Sequence, residues 1–569
     1  MLHYLLSWER ATDRLFDVTL RFTAPHDAPR LLLPVWRPGR YLVQNYAANV
    51  RQWSAGEHGI AKDGKSSWRV DARAGEEVTV RYRFYAGVLD AGSSFLDDDE
   101  AYVNGSNLFM LVDGLRNEEH RLTVAAPAEW LIETQLPREN EQTFRARDYD
   151  HLIDSPLIAA ATITRETFHE SHATFHLVFR GAEGLDTASY VEPIRAIAHT
   201  QAALFGGLPF DTYRFLYHLG ERWHGVEHED SCSIIARRSQ LLGGGPGDEG
   251  FDRFLSITSH ELFHAWNVKR IVPAAFTPYD YWHETPTRLL WVMEGVTSYY
   301  GDLTLVRGGV WSVARYVEQL RREIETLEGM PARLHVPLSQ ASFDGWLSDP
   351  AYNHDHANAW YSFYNKGQLV ALLLDLAIRR ATNGERSLDD VMRLLWDEYG
   401  VPRRGLEEDG FERTVAKIAD VDDFFARYVD GVEPLPYDEC LGSVGLAFSS
   451  TPRDGASLGA RLDGSGGSLM VSAVLRGGAG MDAGLLPGDE LLALGETRIA
   501  TPELLAGALR AMQIGESAEL LVARAGVVRR LAFTARRDPR PQIGLAVAGP
   551  SELRRQWLRE PPHKPEARR

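Results

Sequence analysis

The hydrophobic period of this chain changes once along its length, and that change limits the folds open to it. Up to about residue 168, short segments alternate apolar and polar side chains, as in Asp17-Val18-Thr19-Leu20-Arg21-Phe22 and Glu77-Val78-Thr79-Val80-Arg81-Tyr82-Arg83-Phe84. Period two, with Gly, Pro and Asp between the runs, predicts an antiparallel β domain over 1–168. From about 169 the texture mixes, with strands at 176–179 and 213–217 around a helix near 193–198. After Phe251 the apolar period lengthens to that of helices, around 253–271, 289–306, 311–328 and 366–380. Strands followed by helices predict an α+β domain over 169–430, closed by a linker at Gly431, Pro434 and Pro436.

Length and charge narrow the class. A chain of 569 residues, 44% hydrophobic, exceeds what one core supports, so two to four domains are expected. A formal charge of −18 argues against a nucleic-acid surface and against anionic membranes as partners. The two cysteines, Cys232 and Cys440, make no disulfide framework and read as reduced thiols. The start, Met1 to Arg10, lacks the basic and apolar regions of a secretory signal, and no run of 18 apolar residues occurs. The expectation is an unexported, cytoplasmic protein. The acidic run Asp97-Asp98-Asp99-Glu100 reads as a solvated loop, and the basic residues after Leu553 read as a frayed tail over 541–569.

The chemistry is concentrated in His260-Glu261-Leu262-Phe263-His264. Two imidazoles four positions apart on a helix point the same way and can share one metal ion, and the glutamate between them completes a hydrolytic zinc signature. A catalytic zinc site uses three protein ligands and leaves a position for water. Glu294, in Trp291-Val292-Met293-Glu294-Gly295-Val296, is the best candidate for the third, since an acidic residue in such apolar surroundings is seldom buried without a partner. Glu261, next to a ligand but not one itself, suits the general base.

Two helices that deliver His, His and Glu define a gluzincin, and there a resemblance becomes specific. The run His260 to Arg270 resembles the active-site helix of the glycyl aminopeptidase family, PDZ-containing relatives of aminopeptidase N. Leu33-Pro34-Val35-Trp36-Arg37-Pro38-Gly39-Arg40-Tyr41 resembles that family's amino-terminal β domain, and Glu294 to Tyr300 its third-ligand helix. Tyr364-Asn365-Lys366-Gly367 resembles its catalytic-tyrosine segment, with Tyr361, one turn earlier, as the rival hydroxyl. Gly301 stands where relatives often carry an acidic residue, which leaves Asp302 to support the site.

The resemblance implies a multidomain α+β protein with an N-terminal antiparallel β domain, a thermolysin-like, mainly helical catalytic domain and a C-terminal PDZ domain. It implies one Zn²⁺ per chain and hydrolysis of peptides with a free amino terminus, with preference for Gly or Ala there. His224-Gly225-Val226-Glu227-His228 loosely resembles the Gly-x-Met-Glu-Asn element of aminopeptidases, which makes Gly225 and Glu227 substrate-binding residues, the carboxylate meeting the α-ammonium group. Asn267 and Asp302 are expected to orient the histidines from behind. Residues 440–540, with Ala483-Gly484-Leu485-Leu486-Pro487-Gly488-Asp489, resemble a PDZ domain whose carboxylate-binding loop would be Gly445, Leu446, Ala447 and Phe448. A purely structural PDZ domain, an endopeptidase, and a peptide-binding or chaperone-like protein remain the alternatives. Oligomeric state is not legible.

Overall fold

The computed structural model describes residues 2–465 and 468–560. The chain forms two compact units. The first comprises Met1–Thr287, Tyr300–Trp311 and Asp389–Thr414; the second comprises Arg288–Tyr299, Ser312–Leu388 and Val415–Arg569.

The first unit begins with the β-rich region that period two demands. In Leu15–Thr23 the side chains of Val18, Leu20 and Phe22 are buried, and in Glu77–Tyr85 those of Val78, Val80, Tyr82 and Phe84. These strands pair antiparallel and bury alternate residues in one core around Tyr4 and Trp68. One pair departs from the antiparallel expectation: Leu2–Ser7 runs parallel to His120–Val124. The acidic run is also less solvated than expected. Glu100 is buried against Arg180 at 2.6 Å, and burial pushes its carboxyl up to about 7.

A five-stranded mixed sheet follows, made of β1 (Thr164–Glu170), β2 (Ala173–Arg180), β3 (Thr212–Gly220), β4 (His224–Glu227) and β5 (Ser231–Arg237), in the order β1-β2-β3-β5-β4. β1 pairs only within this sheet, so the boundary expected at 168 falls before Thr164. β2, β3 and β5 are parallel and almost wholly buried, while β4 returns antiparallel to β5 and ends the sheet. Helix α1 (Glu249–Phe263) lies on this sheet through Phe251, Phe254, Leu255 and Leu262. Its position is fixed by two tyrosine hydroxyls of β3. Tyr217 meets the Thr258 hydroxyl at 3.2 Å, and Tyr213 donates to the carbonyl of Glu261 at 3.3 Å.

In the second unit a π-helical turn, Trp291–Val296, runs into α2 (Thr297–Arg307) and packs on α3 (Phe363–Ala381). The approach is at backbone distance: a Cβ on Gly295 would lie 2.5 Å from the Cα of Gly367. Farther along, the strands Ala460–Ser465, Ser468–Val474, Glu490–Leu494, Ser517–Arg524 and Val527–Thr534 enclose a separate core of Leu469, Val471, Leu491, Leu520, Val522 and Phe533. Asp489 of the Pro-Gly-Asp turn is fully buried and receives Arg524 at 2.7 Å and the Leu486 N–H at 2.9 Å, which closes that module.

Two expectations for this unit need correction. Gly445 to Phe448 do not open the module: Leu446–Pro452 pairs with Pro541–Val547, so these residues are taken up in a two-stranded ribbon. The glycine turn that leads into the module's own sheet is Ser457 to Ala460, where Gly459 has φ +66° and a Cβ would meet the Cα of Gly478 at 2.5 Å. Residues 541–560 are likewise no frayed tail. After the ribbon strand comes a helix, Glu552–Leu558, in which Arg554 is buried and the Trp557 indole donates to the Tyr299 hydroxyl at 2.8 Å. Tyr299 in turn donates to Asp375 at 2.6 Å. Lys564, Arg568 and Arg569 lie outside the described residues. No helix among the described residues is long and apolar enough to cross a membrane.

Lys366 of α3 sets a pH dependence for this unit. Its ammonium is 2% exposed, and burial, with Arg333 nearby, lowers it to about 8. The unfolded chain therefore binds more protons between about 8 and the free-lysine value near 10.4, and stability rises with pH across that window. Thermal midpoints measured from pH 7.5 to 10.5 should show this rise in the native protein and lose it in Lys366→Met; equal slopes would contradict the assignment.

Candidate active site

His260 and His264 occupy the end of α1, one turn apart, with their Nε2 atoms 2.9 Å from each other. Two imidazole nitrogens this close must share a proton or a cation. The orientation of His264 is fixed from behind, since its Nδ1 meets the main-chain carbonyl of Asn267 at 2.8 Å. With Nδ1–H donating there, Nε2 presents its lone pair toward His260, the arrangement a metal-binding imidazole needs. Asn267 thus meets His264 through its backbone carbonyl. Asp302 receives the Ser256 hydroxyl at 2.7 Å, one turn before His260 on α1.

Gly301 has a steric reason. It lies against the backbone of His260, and a Cβ there would sit 3.3 Å from the His260 Cα. The Ser259 hydroxyl donates to the Gly301 carbonyl at 2.7 Å, while Gln201 donates to the Ser259 carbonyl at 2.8 Å. The histidine-bearing turn of α1 is therefore held on two sides by polar contacts that leave the imidazoles their own direction.

Glu261 points toward β4. A Cβ on Gly225 would fall 2.1 Å from the Glu261 Oε1 and 2.6 Å from its Cδ, so the strand passes this carboxylate only because position 225 lacks a side chain. Two residues on, Glu227 is buried and lies opposite Cys232 of β5. Burial, then the Glu261 charge, pushes the Cys232 thiol well up; Cys232 and Cys440 are both buried free thiols. Glu227, Glu261 and His264 each offer an atom within 4.8 Å of the others. A loop of the β-rich region adjoins them: Gly39, at φ +78°, comes so near Glu227 that a Cβ would lie 2.3 Å from its Oε2. That loop belongs to the Trp-Arg-Pro-Gly stretch, whose role no motif announced.

Glu294 lies on the π-helical turn and is buried. His260 and His264 of the first unit, and Glu294 of the second, are each donors of the kinds that hold metal ions. Two imidazoles and a carboxylate are a donor set that suits zinc in a hydrolytic site. Single π-turns interrupt helices most often at functional positions. Tyr364 opens α3, half-buried and stacked on Phe363. Its rival is otherwise engaged: the Tyr361 hydroxyl donates to the Val336 carbonyl at 2.8 Å and is a core group.

A zinc-type ligand helix laid on a mixed sheet, with a glutamate-bearing antiparallel strand at the sheet's end, defines a gluzincin-like metallopeptidase. Residues 3–161 match the peptidase M61 N-terminal domain, and residues 253–370 match the M61 glycyl aminopeptidase. Both matches are to domains of M61 peptidases, and the chain is a metallopeptidase. It is similar to an aminopeptidase N family protein from Idiomarina loihiensis, known from a crystal structure: 27% identity, 98% of this chain and 100% of that chain covered, TM-score 0.92. An M1 zinc metallopeptidase from Deinococcus radiodurans matches at 15% identity over 76% of this chain and 94% of that one, with a TM-score of 0.47. Among curated proteins no sequence matches the chain.

The contact between Gly225 and Glu261 is directly testable. Gly225→Ala should displace the Glu261 carboxylate and lower kcat by about 10²-fold or more, the size of a lost general base, with metal content unchanged. Full activity in that variant would contradict the close passage.

Proposed function

We propose that this protein is a zinc aminopeptidase that removes small residues, Gly or Ala, from the amino terminus of peptides. The observation that carries the reading is the group of Glu227, Glu261 and His264 within 4.8 Å of one another. Two carboxylates so close repel each other unless a cation joins them, and a peptide with a free amino terminus brings one. An internal peptide bond does not.

In this reading His260, His264 and Glu294 would hold one zinc ion per chain. When bound, the ion supplies a Lewis acid for the scissile carbonyl and lowers the pKa of water toward neutrality. Glu261 accepts the proton of the attacking water and returns it to the leaving amine. Glu227 pairs with the α-ammonium and so sets the register of the peptide, which β4 aligns as an added strand. The Tyr364 hydroxyl donates to the carbonyl oxygen as negative charge develops on it. Asn267 and Asp302 keep the histidine-bearing turn in place. The small-residue preference rests on the family resemblance. The module entered at Ser457 is read as a PDZ domain, with Ala460–Ser465 as its peptide-accepting strand.

Release of free glycine and alanine from short peptides, with and without amino-terminal acetylation, tests the proposal. Acetylation removes a hydrogen-bonded charge worth on the order of 2–3 kcal/mol and should lower kcat/KM by roughly 10²-fold. Cleavage indifferent to acetylation would make the protein an endopeptidase. Glu261→Gln should retain zinc and lose about 10²- to 10⁴-fold in kcat; an active variant would sink the mechanism.

A further inference from the structure

Beside Glu227 the first unit has a small, partly open pocket of about 10 Å³, lined among others by Arg37, Asn104, Glu227 and His228. Each of these four is at least 96% buried, and each carries one buried polar atom without a hydrogen-bond partner in the protein: Arg37 Nε, Asn104 Nδ2, Glu227 Oε1 and His228 Nε2. Four orphaned polar atoms on residues that line one pocket are costly, because each forfeits its hydration on folding.

Their chemistry is complementary. Arg37 Nε and Asn104 Nδ2 are N–H donors, the latter identified because the amide's Oδ1 already accepts from the Ser106 hydroxyl at 2.6 Å. Glu227 Oε1 is an acceptor. His228 is oriented through its other ring nitrogen. Asp154 accepts from the Lys269 ammonium at 2.8 Å and from the Glu229 N–H at 2.8 Å, and it faces His228 Nδ1 at 3.2 Å. Burial pushes the Asp154 carboxyl up, but Lys269 and His228 outweigh it and hold it well below the usual range. An ionised carboxylate only accepts, so His228 Nδ1 turns a proton toward it and Nε2 is the ring nitrogen left for the pocket. Donors and an acceptor on residues around room for one oxygen match the needs of a single water molecule, which both donates and accepts and which requires about 10–15 Å³ and two to four partners.

We propose that one buried water occupies this cavity, bridging Arg37, Asn104 and His228 to Glu227 Oε1, and that these three residues are positioning residues for the amine-binding carboxylate. The functional half rests on the reading of Glu227 as the ammonium anchor. The water fixes Oε1 on the protein side, which leaves the other oxygen to the substrate. The β-rich region, through Arg37 and Asn104, thereby takes part in substrate recognition that the sheet and α1 otherwise provide.

A crystal structure of the full-length chain, at a resolution that orders internal waters, should show one water within hydrogen-bond distance of all four atoms. A dry cavity, or the four groups paired with one another, would overturn the proposal. Kinetics separate positioning from bulk structure. Asn104→Leu, close in volume and apolar, should raise KM for a glycyl peptide about tenfold, as losses of supporting hydrogen bonds commonly do, with kcat within about twofold. An unchanged KM with the water present in the native protein would overturn the positioning role. Glu227→Gln is the control for the anchor itself: if its KM is unchanged, the reading of Glu227 fails, and the crystallographic result still decides the water.

Discussion

The 2.9 Å separation of the His260 and His264 Nε2 atoms is the constraint around which the first unit is arranged. Side chains one helical turn apart would scatter among rotamers if nothing held them. Here the Asn267 carbonyl takes Nδ1 of His264, Gly301 admits a helix against the backbone of His260, and Gln201 and Ser259 tie the turn from the side. Each contact restricts the imidazoles without competing for Nε2. The order of the histidine pair therefore comes from packing and main-chain acceptors as much as from the pentapeptide itself.

The same economy of space governs the carboxylates. Gly225 lets β4 pass Glu261, and Gly39 lets the β-rich loop reach Glu227, so glycines at two strand or loop positions bring three chain segments to one spot. A side chain at either position would push a buried charge away from its place. Gly295 and Gly367 do the equivalent in the second unit, where a π-turn carrying Glu294 meets the start of α3. Close approach at glycine is thus the common device of this fold wherever a functional side chain is set.

Much of this was legible in the sequence because hydrophobic period and motif chemistry are local. Val18, Leu20 and Phe22 announce a half-buried strand, and His260, Glu261 and His264 announce a metal-binding turn, with no knowledge of the rest of the chain. The strand Thr164–Glu170 was assigned to the wrong domain, since its alternation cannot say which sheet it joins. Gly445 to Phe448 resembled a binding loop but pairs with Pro541–Val547, a partner almost a hundred residues away, and the arginines after Leu553 looked like a tail although Trp557 anchors their helix on Tyr299. Asn267 was expected to orient the histidines, and the atom that makes the contact is its carbonyl, an acceptor that every residue carries and no motif marks. Arg37, Asn104 and His228 escaped notice for a related reason: their meaning lies in a shared cavity drawn from three separate segments.

The central claim is that His260, His264 and Glu294 bind one zinc ion. X-ray diffraction from crystals of the full-length protein, collected on both sides of the zinc absorption edge, tests it most directly. The account predicts a single strong anomalous peak per chain, about 2.0–2.2 Å from both Nε2 atoms and from a Glu294 carboxylate oxygen. A peak elsewhere, or one coordinated by Glu227 and Glu261 in place of Glu294, would contradict it.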